Sequence, residues 1–323
     1  MVIMVTGALG FVGISLVARL AAGGHQVVGV GRRDPDAEIL RFLGPTKKAV
    51  TFSRCDIRDG NTLSEILSER KVERIIHCAV ITATHPDQER LHAAETVGIN
   101  VAGTTTIMES AANRGVRDFV YISSGAIYGP GHTGNLRLTE RTPPKPEGLY
   151  GITKLAGEVI CARLAKIHGV RLIALRLTQP YGPMERQSGG RSLVSAICDW
   201  VLAAVKGEEV VIQDGNLYRD YTYISDITDG IIRALFSDRA GIYNLSLAIP
   251  YTLREVLHEI RQNFPGFRFH LKGGESRLDI NRQSLRPPLD SANARRDFGF
   301  HPTVTLADGI AMYAEWVKSF GVV

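Results

Sequence analysis

The sequence predicts an α/β fold in which a doubly wound parallel sheet is followed by a smaller C-terminal lobe. Three observations carry this prediction. In the first half of the 323-residue chain, short runs rich in β-branched residues alternate with longer helical patterns. The runs are apolar on both sides, which is typical of strands that helices cover on both faces. After about residue 177 this alternation is lost, and Gly, Pro and polar residues become frequent.

Each predicted element rests on the length and period of its apolar pattern. Short runs dominated by Val, Ile, Phe and Tyr are predicted strands, and longer periodic stretches are predicted helices. Strands are predicted at residues 2–6, 25–30, 49–52, 74–78 and 118–122. Helices are predicted at residues 11–22, 63–69, 87–113, 150–168 and 306–320, the last of them amphipathic and packed on the body of the protein.

The length of the chain and the change of pattern predict two cooperating lobes. We expect residues 1–178 to form the sheet domain, with residues 225–247 returning to it. Residues 179–224 and 248–323 are expected to form the smaller lobe. In an open parallel sheet, ligands bind at the carboxyl ends of the strands, so the crevice is predicted between those ends and the smaller lobe.

Composition and charge exclude several classes of protein. The chain is 44% hydrophobic and 22% charged, which is ordinary for a globular protein. The net charge of +5 is mild, and Lys and Arg are scattered rather than clustered as in nucleic-acid binders. No uncharged apolar window has the length that a membrane span needs. We therefore expect a cytoplasmic protein without nucleic-acid or membrane partners.

The cysteine and histidine patterns predict neither disulfides nor a metal site. Cys55, Cys78, Cys161 and Cys198 lie in apolar stretches without C-x-x-C spacing, so we expect them to be reduced. No group of His, Cys and acidic residues has the spacing of metal ligands.

A glycine-rich turn follows the first predicted strand. The segment TGALGFVG places Gly7, Gly10 and Gly13 between that strand and the first helix. Glycine lets the backbone turn sharply and approach a phosphate without a Cβ in the way. The free N–H groups at the start of the helix, near Phe11 and Val12, then face the phosphates with partial positive charge. Although the spacing is G-x-x-G-x-x-G rather than G-x-G-x-x-G, its position in the first βα turn predicts dinucleotide binding.

The end of the second strand bears on the choice of cofactor. An acidic residue there would bind the ribose 2′-hydroxyl of NAD, whereas an arginine would bind the 2′-phosphate of NADP. Gly31 stands where the acidic residue is expected, and Arg32 and Arg33 follow it. NADP is therefore favoured. NAD remains possible, because the arginines could form a solvated turn while Asp34 reaches the ribose.

Tyr150 and Lys154 predict a proton-transfer site. They lie four residues apart near the start of a predicted helix, so the phenol and the ammonium share one helix face. A nearby cation stabilises the phenolate and lowers the pKa of tyrosine, which is about 10 in isolation. Ser123 and Ser124 follow the fifth predicted strand, where a hydroxyl would hold the reacting oxygen. A surface helix pair is the alternative for Y-x-x-x-K alone, and the other motifs disfavour it.

These motifs together resemble one known family. The chain resembles the extended short-chain dehydrogenase/reductases, the NAD-dependent epimerase/dehydratase family, over nearly its whole length. The matching segments are residues 6–13, 55–57, 100–104, 121–129, 150–158, 175–183, 219–226 and 290–300. The resemblance implies a Rossmann sheet, a C-terminal substrate-binding lobe and hydride transfer with a nicotinamide cofactor.

The resemblance adds further cofactor contacts to those of the glycine turn. It implies that Asp56 and Ile57 flank the adenine, that Asn100 lies beneath the cofactor, and that Pro180 packs by the nicotinamide. The predicted cofactor-binding residues are Gly7, Gly10, Phe11, Val12, Gly13, Arg32, Arg33, Asp56, Ile57, Cys78, Ala79, Val80, Asn100, Ser123, Tyr150, Lys154 and Pro180.

The resemblance also implies roles in catalysis and substrate binding. Ser124 matches the catalytic serine or threonine, and Tyr150 matches the acid/base. Lys154 matches the residue that binds the nicotinamide ribose and tunes the tyrosine. The predicted substrate-binding residues are Ser124, Gln179, Arg219 and Arg286.

Two arginines are implied to approach a substrate phosphate. Arg219 matches an arginine that approaches the substrate diphosphate in sugar-nucleotide members of the family; an ion pair with Asp220 or Asp226 is the alternative. The segment from residue 271 to residue 286 matches the sugar-nucleotide pattern poorly, although Arg286 could still meet a phosphate. Small sugars or sugar acids without a nucleotide therefore remain open.

Two further departures from the family pattern concern the reaction. Gln179 stands where the family often has Asn, which puts the substrate contacts there in doubt. Gly125 and Ala126 stand where sugar-nucleotide 4,6-dehydratases place an acidic pair. Elimination of water would then lack a second acid and base, so dehydratase activity is disfavoured.

The predicted function is NAD(P)-dependent hydride transfer on a sugar or sugar-nucleotide carbinol or ketone, with Tyr150 as acid/base. An epimerase would oxidise the carbinol and reduce the other face of the ketone with the same bound cofactor. A reductase would perform one half and exchange its cofactor. The alternative is a dehydrogenase or reductase of a small non-nucleotide sugar or sugar acid. A non-catalytic NAD(P)-sensing module is disfavoured, because it would need neither Tyr150 nor Lys154.

The resemblance also implies a homodimer formed by the long helices at residues 87–113 and 150–168. Two histidines have structural alternatives to a functional role. His77 lies within a predicted strand and is expected to pack in the core. His132 lies in a loop near the predicted substrate entrance, and a contact with substrate is the less favoured interpretation.

Overall fold

A central sheet of parallel strands organises the computed structural model of the chain. The structure describes residues 1–130, 132, 137–188, 190–191, 193–271 and 286–321. Within these residues the strands are β1 (Val2–Thr6), β2 (Gln26–Gly31), β3 (Val50–Arg54), β4 (Arg74–His77), β5 (Asp118–Ser124), β6 (Arg171–Leu177), β7 (Gln179–Tyr181), β8 (Val210–Ile212), β9 (Tyr218–Tyr223), β10 (Gly241–Leu245), β11 (Pro250–Thr252) and β12 (Phe269–Leu271). The seven-stranded sheet has the order β10-β6-β5-β4-β1-β2-β3, and every pairing in it is parallel.

Helices cover both faces of this sheet. They are α1 (Phe11–Ala22), α2 (Ala37–Leu43), α3 (Gly60–Glu69), α4 (Pro86–Val97), α5 (Thr104–Asn113), α6 (Leu149–His168), α7 (Ala196–Lys206), α8 (Ile224–Phe236), α9 (Leu253–Asn263), α10 (Ala292–Phe298) and α11 (Leu306–Phe320). Helices α1 and α8 pack on one face, and α3, α5 and α6 pack on the other. In β1, Ile3 and Val5 enter the first of these cores and Met4 enters the second, because side chains alternate along a strand. The predicted doubly wound α/β fold is confirmed.

The order of the strands positions the ligand crevice. The chain runs outward from β1 to β3 and then returns to place β4 on the other side of β1. This reversal leaves a gap above the carboxyl ends of β1 and β4, which is where doubly wound sheets bind ligands. Thr6 and His77 are paired in register at this edge, so the segments that follow them start side by side.

Most predicted elements are present with ends shifted by one or two residues, and one helix differs in kind. Helices α1 and α11 have the predicted bounds. The helix predicted at residues 87–113 is instead divided by a π-helical segment, Gly98–Gly103. Within it, the amide of Asn100 bonds both the N–H and the C=O of Ile81 in the loop after β4. A wider turn is a common way to direct one side chain out of a helix toward a functional site.

The smaller lobe has a core of its own. Two short sheets, β11-β9-β7 and β12-β8, lie beside helices α7, α9 and α11. Buried aromatic and aliphatic residues fill the space between them, including Trp200, Tyr221, Leu257, Ile310 and Tyr313. Helix α8 and strand β10 return to the central sheet. No helix in the described ranges has the length and apolar character needed to cross a membrane.

A buried ion pair fixes α6 to the central sheet. Glu158 of α6 accepts two hydrogen bonds from Arg176 of β6, at 3.0 and 2.8 Å, and both side chains are less than 5% exposed. Ser123 of β5 donates to the same carboxylate at 2.5 Å. Arg176 also donates to the hydroxyl of Tyr128, which bonds Asn244 of β10. The pair therefore joins α6, β5, β6 and β10 through one network.

Removing one partner of this pair should destabilise the protein strongly. In Glu158→Leu the buried Arg176 has lost its counter-charge, and we expect the free energy of unfolding to fall by about 3–5 kcal/mol. The double variant Glu158→Leu/Arg176→Met should recover much of this loss, because neither charge then remains buried. Urea denaturation measures both effects. Asp238→Ala, which breaks an exposed pair with Arg239, is the control and should cost less than about 1 kcal/mol. A Glu158→Leu variant no less stable than this control would contradict the assignment.

Candidate functional site

A cleft of about 450 Å³ opens at the carboxyl ends of the parallel strands. Its walls come from the glycine turn after β1, the ends of β2 and β5, the loop after β4, the start of α6 and the segment after β7. The predicted site residues that line it are Gly7, Gly10, Phe11, Val12, Gly13, Arg32, Arg33, Ile57, Cys78, Ala79, Val80, Ser123, Ser124, Tyr150, Lys154 and Pro180. Within the described part of the chain, the predicted residues outside this lining are Asp56, Asn100, Gln179, Arg219 and Arg286.

The glycine turn is shaped by close backbone contacts. Gly7 has φ +66°, and a Cβ there would lie 2.7 Å from the Cα of Ala79. A Cβ on Gly13 would lie 2.1 Å from the carbonyl oxygen of Gly7, so only glycine permits this packing. Helix α1 begins next to this turn without a side-chain cap and without an acidic residue in its first turn. Its first N–H groups are therefore available to an anion, and the turn fits a phosphate group.

The residues at the adenosine end of the cleft carry both signs of charge. Arg32 and Arg33 are exposed and line the cleft. Arg32 forms an ion pair with Glu95 of α4 at 3.0 Å, and both side chains are 45% exposed. Hydrogen bonds from Arg58 hold the pKa of Asp56 below its ordinary value. The cationic character of this end is thus partly balanced by acidic neighbours.

A buried hydrogen-bond chain supports the floor of the cleft. Asn100 donates to the carbonyl of Ile81 at 2.9 Å and to the hydroxyl of Thr153 at 3.0 Å, and it accepts from the Ile81 N–H at 2.8 Å. These contacts tie the loop after β4 to α6, which carries Tyr150. Asn100 therefore lies behind the wall of the cleft and shapes it.

His77 extends this hydrogen-bond chain toward the glycine turn. Its Nδ1 lies 2.6 Å from the Thr6 hydroxyl, and its Nε2 lies 3.0 Å from the Thr104 hydroxyl. Thr104 donates to the Asn100 carbonyl, so it must accept from Nε2–H, and Nδ1 must then accept from Thr6. Burial lowers the pKa of His77 to about 3. His77 is thus a neutral core histidine, as predicted, joining β1 to the π-helical segment.

The predicted catalytic residues meet at the end of the cleft that β5 and α6 form. Tyr150 is the second residue of α6, and Ser124 ends β5 with its hydroxyl accepting from the Ala126 N–H. Burial raises the pKa of Tyr150, while a hydrogen bond with Ser124 lowers it. Lys154 donates to the Ile122 carbonyl at 2.6 Å, and burial lowers its pKa to about 8. Tyr150 and Lys154 thus come from α6, and Ser124 comes from the end of β5.

Arg219 and Arg286 form a second cationic region beside this site. Arg219 is buried and Arg286 is half-buried, and a Cβ on Gly125, next to Ser124, would lie 2.9 Å from the guanidinium of Arg286. Burial and then the charge of Arg219 lower the pKa of Arg286 to about 10. The charge of Arg286 in turn lowers the pKa of Tyr150. The charge of Asp220 acts on the pKa of Arg286 in the opposite direction.

The other predicted substrate contacts are placed less directly. Gln179 is half-buried in β7 and pairs in register with Tyr221 of β9. Asp220 accepts from the Ser246 hydroxyl and the Leu289 N–H, and Asp226 accepts from two backbone N–H groups of residues 303 and 304. The segment 272–285, where the family pattern is weakest, lies outside the described residues.

His132 and the cysteines belong to the surroundings of the site. His132 Nε2 lies 2.6 Å from the Tyr128 carbonyl oxygen. The described cysteines are free thiols, and burial raises the pKa of Cys55 to about 11 and those of Cys78 and Cys161 to about 12. These thiols are therefore protonated at neutral pH. Among the described residues, no group of His, Cys, Asp and Glu is arranged to hold a metal ion.

Sequence reasoning missed Arg191, which lines the cleft from the smaller lobe. Its guanidinium bonds the buried carboxylate of Glu185 at 2.5 Å and lies over the ring of Phe11, 5.5 Å from the centroid. Its charge lowers the pKa of Tyr150. Arg191 lies in an irregular polar segment and belongs to no sequence motif or periodic pattern. Its position in the cleft is therefore evident only from the structure.

The chain belongs to the NAD dependent epimerase/dehydratase family, which matches residues 3–246. It is 31% identical to a UDP-glucose 4-epimerase of Mycolicibacterium smegmatis over 98% of both chains. The structure of Thermus thermophilus UDP-glucose 4-epimerase in complex with NAD covers 100% of both chains, with TM-score 0.83 and 26% identity. Thermotoga maritima UDP-glucose 4-epimerase, solved with UDP-glucose, shares the fold with TM-score 0.86 at 22% identity over 100% of both chains. The chain is therefore an enzyme of the extended short-chain dehydrogenase/reductase type, as predicted, from an NAD-dependent family of sugar-nucleotide enzymes.

The pKa of His77 predicts a specific loss of stability in acid. Between its folded pKa of about 3 and its ordinary value of 6.5, the unfolded chain binds a proton that the folded protein does not. The free energy of unfolding should therefore fall as pH decreases through this window, by up to about 1.4 kcal/mol per pH unit from this group. A His77→Gln variant, although less stable at pH 7, should show a correspondingly flatter dependence in urea denaturation between pH 7 and 4. His301→Gln, at an exposed position, should keep the wild-type slope. Equal slopes for all three proteins would show that His77 does not titrate in this way.

Proposed function

We propose that the protein is an epimerase that inverts one carbinol centre of a nucleotide-linked sugar and keeps NAD bound throughout its cycle. The observation that carries the proposal is the meeting of Ser124 and Tyr150 at one end of the cleft, beside the buried Arg219 and the half-buried Arg286. NAD, when bound, accepts the hydride of the sugar C–H and later returns it. Tyr150 and Ser124 supply the groups that act on the sugar oxygen.

Tyr150 is proposed as the acid/base. Its phenolate would take the hydroxyl proton of the sugar as the carbinol becomes a ketone, and the phenol would return a proton when the opposite face is reduced. The buried site opposes the phenolate, because burial raises the pKa of Tyr150. The Ser124 hydrogen bond and the charges of Arg191 and Arg286 act in the other direction. Ser124 would also donate to the reacting oxygen and hold it in place.

Lys154 is proposed to bind the nicotinamide ribose. Its ammonium bonds a strand-end carbonyl and lines the cleft four residues after Tyr150, so a ribose hydroxyl could add to the same hydrogen-bond set. Its pKa of about 8, lowered by burial, keeps most of the population charged at neutral pH. The positive charge would then also favour the Tyr150 phenolate.

Arg219 and Arg286 are proposed to bind the diphosphate of the substrate. Their mutual repulsion in a buried site is relieved by a ligand with two negative charges. The position of Arg286 against Gly125 places this ligand next to Ser124. Residues 179–224 and 248–323 are accordingly proposed as the substrate-binding lobe, with Gln179 among its contacts. Epimerisation is favoured over dehydration, because Gly125 and Ala126 provide no acid or base after Ser124.

NAD rather than NADP is proposed as the cofactor. Sequence reasoning favoured NADP because of Arg32 and Arg33, and the comparisons do not support that preference. The ion pair with Glu95 offsets the charge of Arg32, and a 2′-phosphate would lie near that carboxylate. Arg33 lines the cleft without an ion pair that would offset it in the same way, so NADP stays the second candidate. A cytoplasmic location likewise stays a prediction.

A homodimer through α4 and α6 is also proposed. Helix α4 is exposed over most of its surface, including Leu91 at 77%. On α6, Ile152 and Val159 lie seven residues apart on one outer face, with Val159 at 61% exposure. Contiguous exposed apolar residues on two packed helices are typical of a protein interface.

The proposed function is tested by identifying the nucleotide that the protein releases and by removing the hydroxyl of Tyr150. Denaturing the purified protein and separating the nucleotides should yield near-stoichiometric NAD. With UDP-glucose as the first probe, the wild type should form an epimer detectable by nuclear magnetic resonance. Tyr150→Phe should lower turnover by about 10²–10⁴-fold and still retain NAD. Tyr218→Phe, at an exposed tyrosine, should turn over at the wild-type rate.

Two outcomes would overturn the proposal. Unchanged turnover in Tyr150→Phe would remove the acid/base assignment. A protein that is purified without nucleotide and binds NADPH more tightly than NADH would instead indicate a reductase with an exchangeable cofactor.

The dimer is tested by a charge on the exposed face of α6. Val159→Glu should convert a dimer into a monomer in light scattering coupled to size-exclusion chromatography, because two carboxylates would face each other across the interface. Met312→Glu, on the exposed side of α11, should remain dimeric. A monomeric wild type, or a dimer that survives Val159→Glu, would refute this interface.

A further inference from the structure

We propose that Arg191 binds the pyrophosphate of the cofactor from the side opposite the glycine turn, and that the segment carrying it retains the cofactor during turnover. The inference rests on the proposed placement of NAD in the cleft. It assigns a binding role to a residue of the smaller lobe, and it offers a physical reason for retention that the glycine turn alone does not supply.

The first argument is the position of Arg191 along the cleft. Its guanidinium lies 5.5 Å from the centroid of the Phe11 ring, and Phe11 is the first residue of α1. The start of α1 is the place where free N–H groups and the helix dipole favour phosphate oxygens. A guanidinium here faces the same phosphates from across the cleft.

The second argument is the distribution of cations in the lining. Arg32 and Arg33 follow β2 at the adenosine end, and Lys154 lies at the nicotinamide end beside Tyr150. Arg191 is the lining cation next to the middle of the cleft, where the glycine turn itself offers only backbone dipoles. A pyrophosphate bridging the two ends carries negative charge at that point. Charge-assisted hydrogen bonds from arginine suit phosphate geometry especially well.

The third argument is that Arg191 is held in place with donor capacity to spare. The buried carboxylate of Glu185 accepts from Arg191 and from both the N–H and the hydroxyl of Ser195. One guanidinium nitrogen of Arg191 is therefore fixed. Its buried Nε has no hydrogen-bond partner among the described residues. Such a buried donor is unusual unless a ligand satisfies it.

Ser188, Gly190 and Arg191, which we call the strap, line the cleft beside the loop after β4. Ser188 and Arg191 exchange two backbone hydrogen bonds, at 2.7 and 3.0 Å. The carbonyl of Gly190 accepts from the N–H of Thr82, in the loop after β4, at 2.7 Å. A Cβ on Gly190 would lie 3.0 Å from the carbonyl oxygen of Val80, so the strap and that loop are in close contact. A dinucleotide lying between the strap and the glycine turn could leave only after these contacts open.

An acidic group on the substrate is the other possible ligand of Arg191, because its charge reaches Tyr150 as well. The contact with Phe11 favours the cofactor, since Phe11 begins the helix proposed to bind the phosphates, whereas Arg219 and Arg286 lie on the proposed substrate side. The two possibilities separate in an experiment that measures cofactor and substrate binding independently.

The test compares Arg191→Gln with Arg186→Gln in the holoenzyme. Arg186 loses the same charge from the same segment, but its partners are Asp36 and Glu38 rather than groups of the cleft. Exchange of bound NAD against labelled NAD gives the dissociation rate, and calorimetry with UDP gives binding on the substrate side. We expect Arg191→Gln to release NAD about 10–100-fold faster, in line with the loss of a charge-assisted hydrogen bond. Arg186→Gln should stay within about threefold of the wild type, and UDP affinity should be unchanged in both.

A second readout separates ligand binding from a merely structural role. If Arg191 contacts the pyrophosphate, the salt dependence of NAD release should be weaker in Arg191→Gln than in the wild type, and Arg191→Lys should restore part of it. Faster release with an unaltered salt dependence would indicate loosening of the strap alone and would overturn the proposal. Weakened UDP binding with unchanged NAD release would assign Arg191 to the substrate instead. A wild type that neither contains nor takes up NAD would refute the proposed function, whereas unchanged release in Arg191→Gln would refute only this inference.

Discussion

The buried ion pair between Glu158 and Arg176 is the contact on which the geometry of the site depends. Tyr150 and Lys154 lie on α6, whereas Ser124 lies at the end of β5, so their arrangement requires that helix and strand keep a fixed register. Glu158 sets that register one turn beyond Lys154 by accepting from Arg176 and from Ser123, the neighbour of Ser124. A buried charge pair is seldom a net source of stability, but its directional bonds permit few alternative packings.

A second polar chain fixes the other wall of the cleft. It runs from Thr6 through His77 and Thr104 to Asn100, and each hydrogen in it has one acceptor. Asn100 then holds the loop after β4 against α6. The two networks meet at α6, through Glu158 in one and Thr153 in the other. Hydrogen bonds within these networks explain why their polar side chains can be buried. Such networks are costly when incomplete and specific when complete.

The sequence predicted the fold and most of the residues that line the cleft, because both depend on local patterns. Alternating apolar runs identify β1 to β5, and the glycines of the first turn are required by φ and by close contacts at Gly7 and Gly13. The remaining features depend on long-range contacts. Nothing in the helical pattern of residues 87–113 reveals the π-helical segment, because it is set by the amide of Asn100 bonding Ile81. The pairing of Arg32 with Glu95 joins residues 63 positions apart, so the sequence showed the cation but not the carboxylate that offsets it.

Electrostatics along the cleft connects these features to function. Burial disfavours the charged forms of Lys154 and Arg219, and the charge of Arg219 disfavours that of Arg286 while Asp220 favours it. Burial lowers the pKa of Lys154 and of Arg286, because loss of solvation is a cost to their charged forms. Phosphate groups of the cofactor and the substrate would offset this cost. The charges of Arg191 and Arg286 also favour a Tyr150 phenolate. In the proposed function, one arrangement of charge holds both anionic ligands and favours the Tyr150 phenolate, so the identity of each arginine matters more than the net charge of the chain.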